Sequence, residues 1–313
     1  MGQRYRRAAM LAIVGIVQTA ALIAVYVEFV TTPLGQLLDS ASVTGGRVGF
    51  AQIEPVVSAL LDIVMVASLL AAVIAVAIVG LLRRRYLLAA ATSALVLGAN
   101  ITTQVLKHVV LHRPDLGVSL SGGIIGAPSN TLPSGHTTAA ASVAVAFTLV
   151  VPPRLRAPVG VLGGAYAALT GMATLTAGWH RPSDAIAAYI VVGIWAAVVG
   201  IAVLLFDHRH QALRPVAPRP PRGAMALLAF VAVACLVAGS LALALIAQIP
   251  AASIGKAQLV VAYAGGAALT AGAAAAVFTV VLGVSGWLAP ERGPRLPRQQ
   301  RPSRARARTG PIA

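Results

Sequence analysis

Three short stretches hold the residues of this sequence whose types and order could do chemistry: Lys107 with Arg113-Pro114, Pro133-Ser134-Gly135-His136, and His180 with Asp184. Two imidazoles, one carboxylate and two cations are a set of parts for phosphoryl transfer. An imidazole held by a carboxylate can act as nucleophile, and a second imidazole can give a proton to a leaving alkoxide. Lysine and arginine neutralise the phosphate oxygens, arginine with two parallel donors. Each stretch lies at the end of a long apolar run, so the helices made by those runs must position it.

The local sequence says how. Pro133 stops a loop and Ser134 is a natural N-cap for the helix that follows. Gly135 lets a ligand approach the backbone, and the free N–H groups of a helix start form an anion site. His136 stands in that first turn. Pro182 fits the first position of another helix, with His180 just outside it and Asp184 in its first turn. A carboxylate four residues on can return to one imidazole nitrogen and raise the basicity of the other. Lys107 ends a span, and Pro114 stops helix continuation and frees Arg113. Two helix starts, Lys107 and Arg113 around one phosphate make a consistent electrostatic site.

The positioning elements follow from composition. The 313 residues are 58% hydrophobic and only 10% charged, far from the balance of a soluble domain. Eight apolar runs are long enough to cross a bilayer: 8–30, 56–82, 86–110, 137–151, 157–178, 185–206, 224–249 and 257–288. Backbone groups in lipid must be satisfied internally, and the runs lack the alternation of a membrane barrel, so they are expected to be helices. The fold expected is an all-α polytopic bundle. The first run is read as an uncleaved anchor, since it exceeds a signal h-region in length.

A net charge of +16 could suggest nucleic-acid binding, but its distribution argues otherwise. All but five of the 24 basic residues fall in alternate connections or the tail; the exceptions are Arg47, Lys107, Arg113, Arg181 and Lys256. By the positive-inside rule both termini are cytoplasmic and the three motifs face outward; the alanine- and arginine-heavy usage suggests a bacterial coding bias, and with it a plasma membrane. Lys107 and Arg113 thus stand against the topological preference, and an anionic substrate supplies a reason. The lone Cys235 lies inside the seventh run, which leaves no intramolecular disulfide.

A linker rich in proline and arginine, 207–223, divides a six-span core, 1–206, from a two-span appendage, 224–288, and a basic tail, 289–313, is expected to be disordered. The Gly- and Ser-rich loop 116–132 is either a cover for the site or an ordinary connector. Asp62 inside the second run is either part of an ion path or a helix-pairing contact. Eight acids in the whole chain leave no carboxylate cluster for a divalent ion, so metal-independent chemistry with no cofactor is expected.

These residues, in this order, resemble the type 2 phosphatidic acid phosphatase family of membrane lipid phosphatases. Its motifs are a lysine followed by Arg-Pro, a Pro-Ser-Gly-His, and a Ser-Arg followed by a histidine and an aspartate. The resemblance implies that His180 attacks phosphorus to form a phosphohistidine, that Asp184 orients it, and that His136 protonates the leaving alkoxide. It also implies that Lys107, Arg113, Ser134 and the Gly135 amide hold the phosphate oxygens. Two departures stand out. Five residues separate Lys107 from Arg113 where the family usually has six, and Ala173 and Thr174 occupy the positions of Ser and Arg. Arg181 is one candidate for the missing cation. The implied activity is hydrolysis of a polyprenyl or glycerolipid phosphate or diphosphate. Head-group transfer through the same site, and lipid-phosphate binding or transport without turnover, remain open alternatives.

Overall fold

The computed structural model describes residues 2–48, 66–118, 130–206 and 221–288, together with Val57. Residues 119–129 of the glycine-rich loop, most of the 207–223 linker, Asp62 and the tail from Glu291 lie outside the described residues. Among the described residues the regular structure is all helical, with no strand. In order the helices are α1 (Gly2–Val30), α2 (Pro33–Gly46), α3 (Val66–Leu82), α4 (Tyr86–Val105), α5 (Gly135–Val150), α6 (Arg156–Thr176), α7 (Pro182–Phe206), α8 (Arg222–Ala247) and α9 (Lys256–Trp287). The last turn of α4 widens into a π-helical turn, Leu106–Val110. Counting that turn and the short 3-10 turn before α6, six of these helices are long and apolar enough to cross a membrane, and α3 and α5 are shorter apolar helices. The protein is an all-α, multi-pass membrane bundle.

One helix has no counterpart among the apolar runs. α2 is short and carries Gln36, Asp39, Ser42 and Thr44, so no hydropathy window marks it. It starts where Pro33 follows Thr32, whose hydroxyl accepts the Gly35 N–H at 3.0 Å. This is an ordinary N-cap with proline at the first helical position.

α7 runs through the middle of the bundle, packed against α1, α4, α5 and α9. Its Tyr189, Val192 and Ala196 share one core with Leu95 and Ala99 of α4, Ala141 and Val145 of α5, and Phe278 and Leu282 of α9. Alanines such as Ala99, Ala141 and Ala196 among the larger side chains let helix backbones approach where lipid offers no hydrophobic drive. α9 lies along α2, α6 and α7, and α8 packs outside it. The two helices after the linker therefore share the core with those before it.

The arginine-rich end is ordered by its cations. Arg83 donates to the carbonyl of Val150, Arg85 to that of Leu288 at 2.9 Å, and Arg156 to those of Ser285 and Leu149. These are helix C-terminal carbonyls, which have no intrahelical donor. Arg156 is only 2% exposed and joins α5, α6 and α9. Arg156→Ala strands these carbonyls, and a loss of at least about 2 kcal/mol of stability is expected. A lower melting temperature in detergent is the check; melting equal to the parent would contradict the role.

Candidate active site

The three motifs meet at the other end of the bundle, where α4 and α6 finish and α5 and α7 begin. α6 ends at Ala177, and Gly178, with φ of +72°, turns the chain back on itself. The N–H groups of Trp179 and His180 then donate to the carbonyl of Thr174 at 3.0 and 3.2 Å. This tight turn delivers His180 to the mouth of the bundle immediately before Pro182 opens α7.

Asp184 is the hub. Its Oδ2 accepts three hydrogen bonds: from Thr131 Oγ1 at 2.6 Å, from the Arg181 backbone N–H at 2.9 Å, and from His180 Nδ1 at 3.1 Å. The last bond puts the imidazole proton on Nδ1 and leaves the Nε2 lone pair free. Asp184 is 1% exposed, so an ionised carboxylate there requires such donors. Its backbone carbonyl also accepts the Ser134 N–H at 2.9 Å, which fixes the start of α5 to the start of α7.

The start of α5 matches its sequence. Ser134 is the N-cap, and its hydroxyl accepts from the N–H of Thr137 at 3.4 Å and from the Thr137 hydroxyl at 2.9 Å. Ser134 is fully buried, so its side chain serves the cap. The space over Gly135 is open, since a Cβ there would meet only Gln104 Nε2 at 3.6 Å. A ligand can therefore reach the amides at the helix start. His136 is half-buried between two rings, with Trp179 at 5.5 Å and His180 at 6.5 Å between centroids.

The start of α7 departs from expectation. Its anion site is occupied by a carboxylate of the chain itself: Asp39 of α2 accepts the Ser183 N–H at 3.3 Å on Oδ1 and the Ser183 hydroxyl on Oδ2. Asp39 Oδ2 also lies 4.0 Å from Arg113 Nη1. The same helix holds the neighbouring backbone, because Gln36 Nε2 donates to the carbonyls of Pro114 and Val30, both at 2.8 Å. Arg113 thus reaches the site despite its shortened spacing from Lys107. Burial lowers the Arg113 guanidinium's pKa and Arg181 adds to this, while Asp39 and Asp184 oppose it.

Sequence reasoning missed Asp39, Thr131, Asn130 and Trp179. Thr131 donates to Asp184 while accepting from Arg181 Nη1 at 2.8 Å. Asn130 Nδ2 donates to the carbonyls of Leu111, Lys107 and Leu132 at 2.9, 3.1 and 3.3 Å, tying the end of α4 to the approach to α5. A polar residue at the end of a glycine-rich loop beside Pro133 was the available signal for Asn130. Nothing marked Asp39, whose partners lie more than seventy residues away.

Asp39 is pushed up from 3.8 to about 7, first by burial and then by the Asp184 carboxylate. A carboxyl whose native pKa is raised favours the folded state below its unfolded pKa. That advantage is lost as pH climbs through the native value. The native protein therefore loses stability between about pH 4 and pH 7, at up to about 1.4 kcal/mol per pH unit. Asp39→Asn cannot titrate, so its melting temperature relative to the parent is expected to rise from pH 5 to pH 8. A difference that does not change with pH would contradict the assignment.

A family model described as the PAP2 superfamily matches residues 84–210. That segment contains Lys107, Arg113, Ser134, Gly135, His136, His180 and Asp184, and leaves α1, α2, α3, α8 and α9 outside. Comparison with curated proteins and with solved structures gave no match.

Proposed function

Because residues 84–210 belong to the PAP2 superfamily, whose members act on phosphorylated substrates, we propose that this chain hydrolyses a lipid phosphate through a phosphohistidine. The observation that carries the proposal is the His180–Asp184 pair, 3.1 Å apart, with a second imidazole, His136, 6.5 Å from that of His180 between centroids. His180 Nε2 attacks phosphorus, and the bond from phosphorus to the lipid oxygen breaks. His136 protonates the departing alkoxide, then takes a proton from water as that water attacks the phosphohistidine. Inorganic phosphate leaves and His180 is restored. Lys107, Arg113 and the amides at the start of α5 stabilise the charge on the transferring group.

The bilayer favours a lipid substrate, since the site opens where four apolar helices end, beside the half-exposed Trp179. Aromatic residues of this kind sit at headgroup depth. The arginines of the 83–85 turn and Arg156 mark the opposite end, so the positive-inside rule supports a site on the outer face, with the termini in the cytoplasm. The steps need only side chains of the chain, which supports metal-independent hydrolysis.

The test is phosphate release from a panel of lipid phosphates by purified protein in EDTA. Turnover that survives EDTA and disappears in folded His180→Ala is the expected result. Full activity in that variant would overturn the mechanism, and a transferred head group in place of free phosphate would make the enzyme a transferase. His136→Ala is expected to slow release from a lipid phosphate far more than from p-nitrophenyl phosphate, whose leaving group needs no proton. Equal slowing on both would remove His136 from the acid role.

A further inference from the structure

The charges around His180 do not yet suit a phosphate. Two buried carboxylates, Asp39 and Asp184, stand beside two arginines, Arg113 and Arg181. Arg113 faces Asp39 at 4.0 Å. Arg181 is 5% exposed, and its Nη1 donates to the Thr131 hydroxyl that bonds Asp184. Once Asp39 is ionised these four groups cancel, and a phosphate monoester brings between one and two further negative charges. With Arg113 shared with Asp39 and Arg181 turned to Thr131, cations beyond those two arginines are needed to meet it in full. Of the five basic residues on this side, Lys256 opens α9, which leaves Lys107 and Arg47.

Arg47 is held where it could serve. It caps the C-terminus of α2, and α2 lies directly on α9: a Cβ at Gly45 would stand 1.9 Å from the Leu259 carbonyl oxygen. That contact turns Arg47 onto the turn between α6 and His180. Its guanidinium covers Gly178, where a Cβ would lie 2.6 Å from Nε and 2.9 Å from Nη2. Gly178 is two residues before His180, and the turn folds back on Thr174. The bland role for such an arginine is to cap the carbonyls ending α6. Yet its guanidinium makes no hydrogen bond or ion pair among the described residues, and Arg47 is exposed. Thr174 itself cannot contribute, being fully buried with its hydroxyl donated to the Gly171 carbonyl at 2.8 Å.

We infer that Arg47, from a helix outside the matched 84–210 segment, binds a phosphoryl oxygen of the substrate beside His180. The contact replaces the cation that position 174 does not supply. This rests on the phosphatase reading, and it makes α2 part of the catalytic unit rather than a connector.

The experiment compares the full-length parent, Arg47→Gln, Arg47→Lys and His180→Ala for lipid-phosphate turnover and for melting with and without inorganic phosphate. Arg47→Gln is expected to lower kcat/KM about a hundredfold, the usual loss for one transition-state donor. It should also lose the stabilisation by phosphate, yet melt like the parent without it, and Arg47→Lys should recover part of both. Parent-like kinetics and phosphate stabilisation in Arg47→Gln, with His180→Ala inactive, would overturn the inference and leave the phosphatase reading standing. A lower melting point with kinetics and phosphate response intact would show a helix cap, and also overturn it. Should the parent turn nothing over, the phosphatase reading fails, while phosphate stabilisation present in the parent and lost in Arg47→Gln still supports the contact.

Discussion

One oxygen atom holds this site together. Asp184 Oδ2 takes donors from the loop before α5, from the turn after α6 and from the imidazole of His180. Burial makes that oxygen expensive to ionise unless each donor is present. The same need fixes three segments of chain relative to one another. The Ser134 N–H on the Asp184 carbonyl adds a fourth tie, so the first turns of α5 and α7 move as a unit. His180 and His136 keep their separation because the helices that carry them are bolted at this point. Pre-set geometry of this kind is what a transferring phosphoryl group requires from a protein that supplies positioning and charge.

Around the hub the protein spends its own charges on itself. Asp39 fills the positive start of α7, and its neighbour Arg113 is thereby kept in the site. A helix start that holds a carboxylate is no longer an open anion site, so on the proposed reading a phosphate meets the start of α5, Lys107 and Arg113 first. This division explains why a site with four charged side chains close together is nearly neutral before a phosphate arrives. It also explains why a helix that crosses nothing, α2, matters to the chemistry at the end of helices that do.

Much of this was legible in the sequence, and the reasons are local. Pro133-Ser134 marks a helix start by proline and N-cap chemistry, Pro182 marks another, and the four-residue spacing of His180 and Asp184 permits their bond. Long apolar runs told the helices and the alternating arginines told which ends belong together. The missing parts depend on distant partners. Asp39 meets Ser183 144 residues away, and a 14-residue helix with nine residues small or polar leaves no hydropathy signal. Nothing in the sequence set Arg47 beside Gly178, a juxtaposition that only the fold provides. The seating of α9 along α2 and α7 had no compositional mark.

The most direct measurement is a trapped intermediate. Purified protein would be mixed with a lipid phosphate, quenched in alkali, in which phosphohistidine survives, and mapped by mass spectrometry. Phosphate on His180, accumulating within a turnover and absent from His180→Ala, is the expected result. Sustained phosphate release with His180 never labelled, or a label on another side chain such as Thr131, would contradict the assignment of His180 as nucleophile.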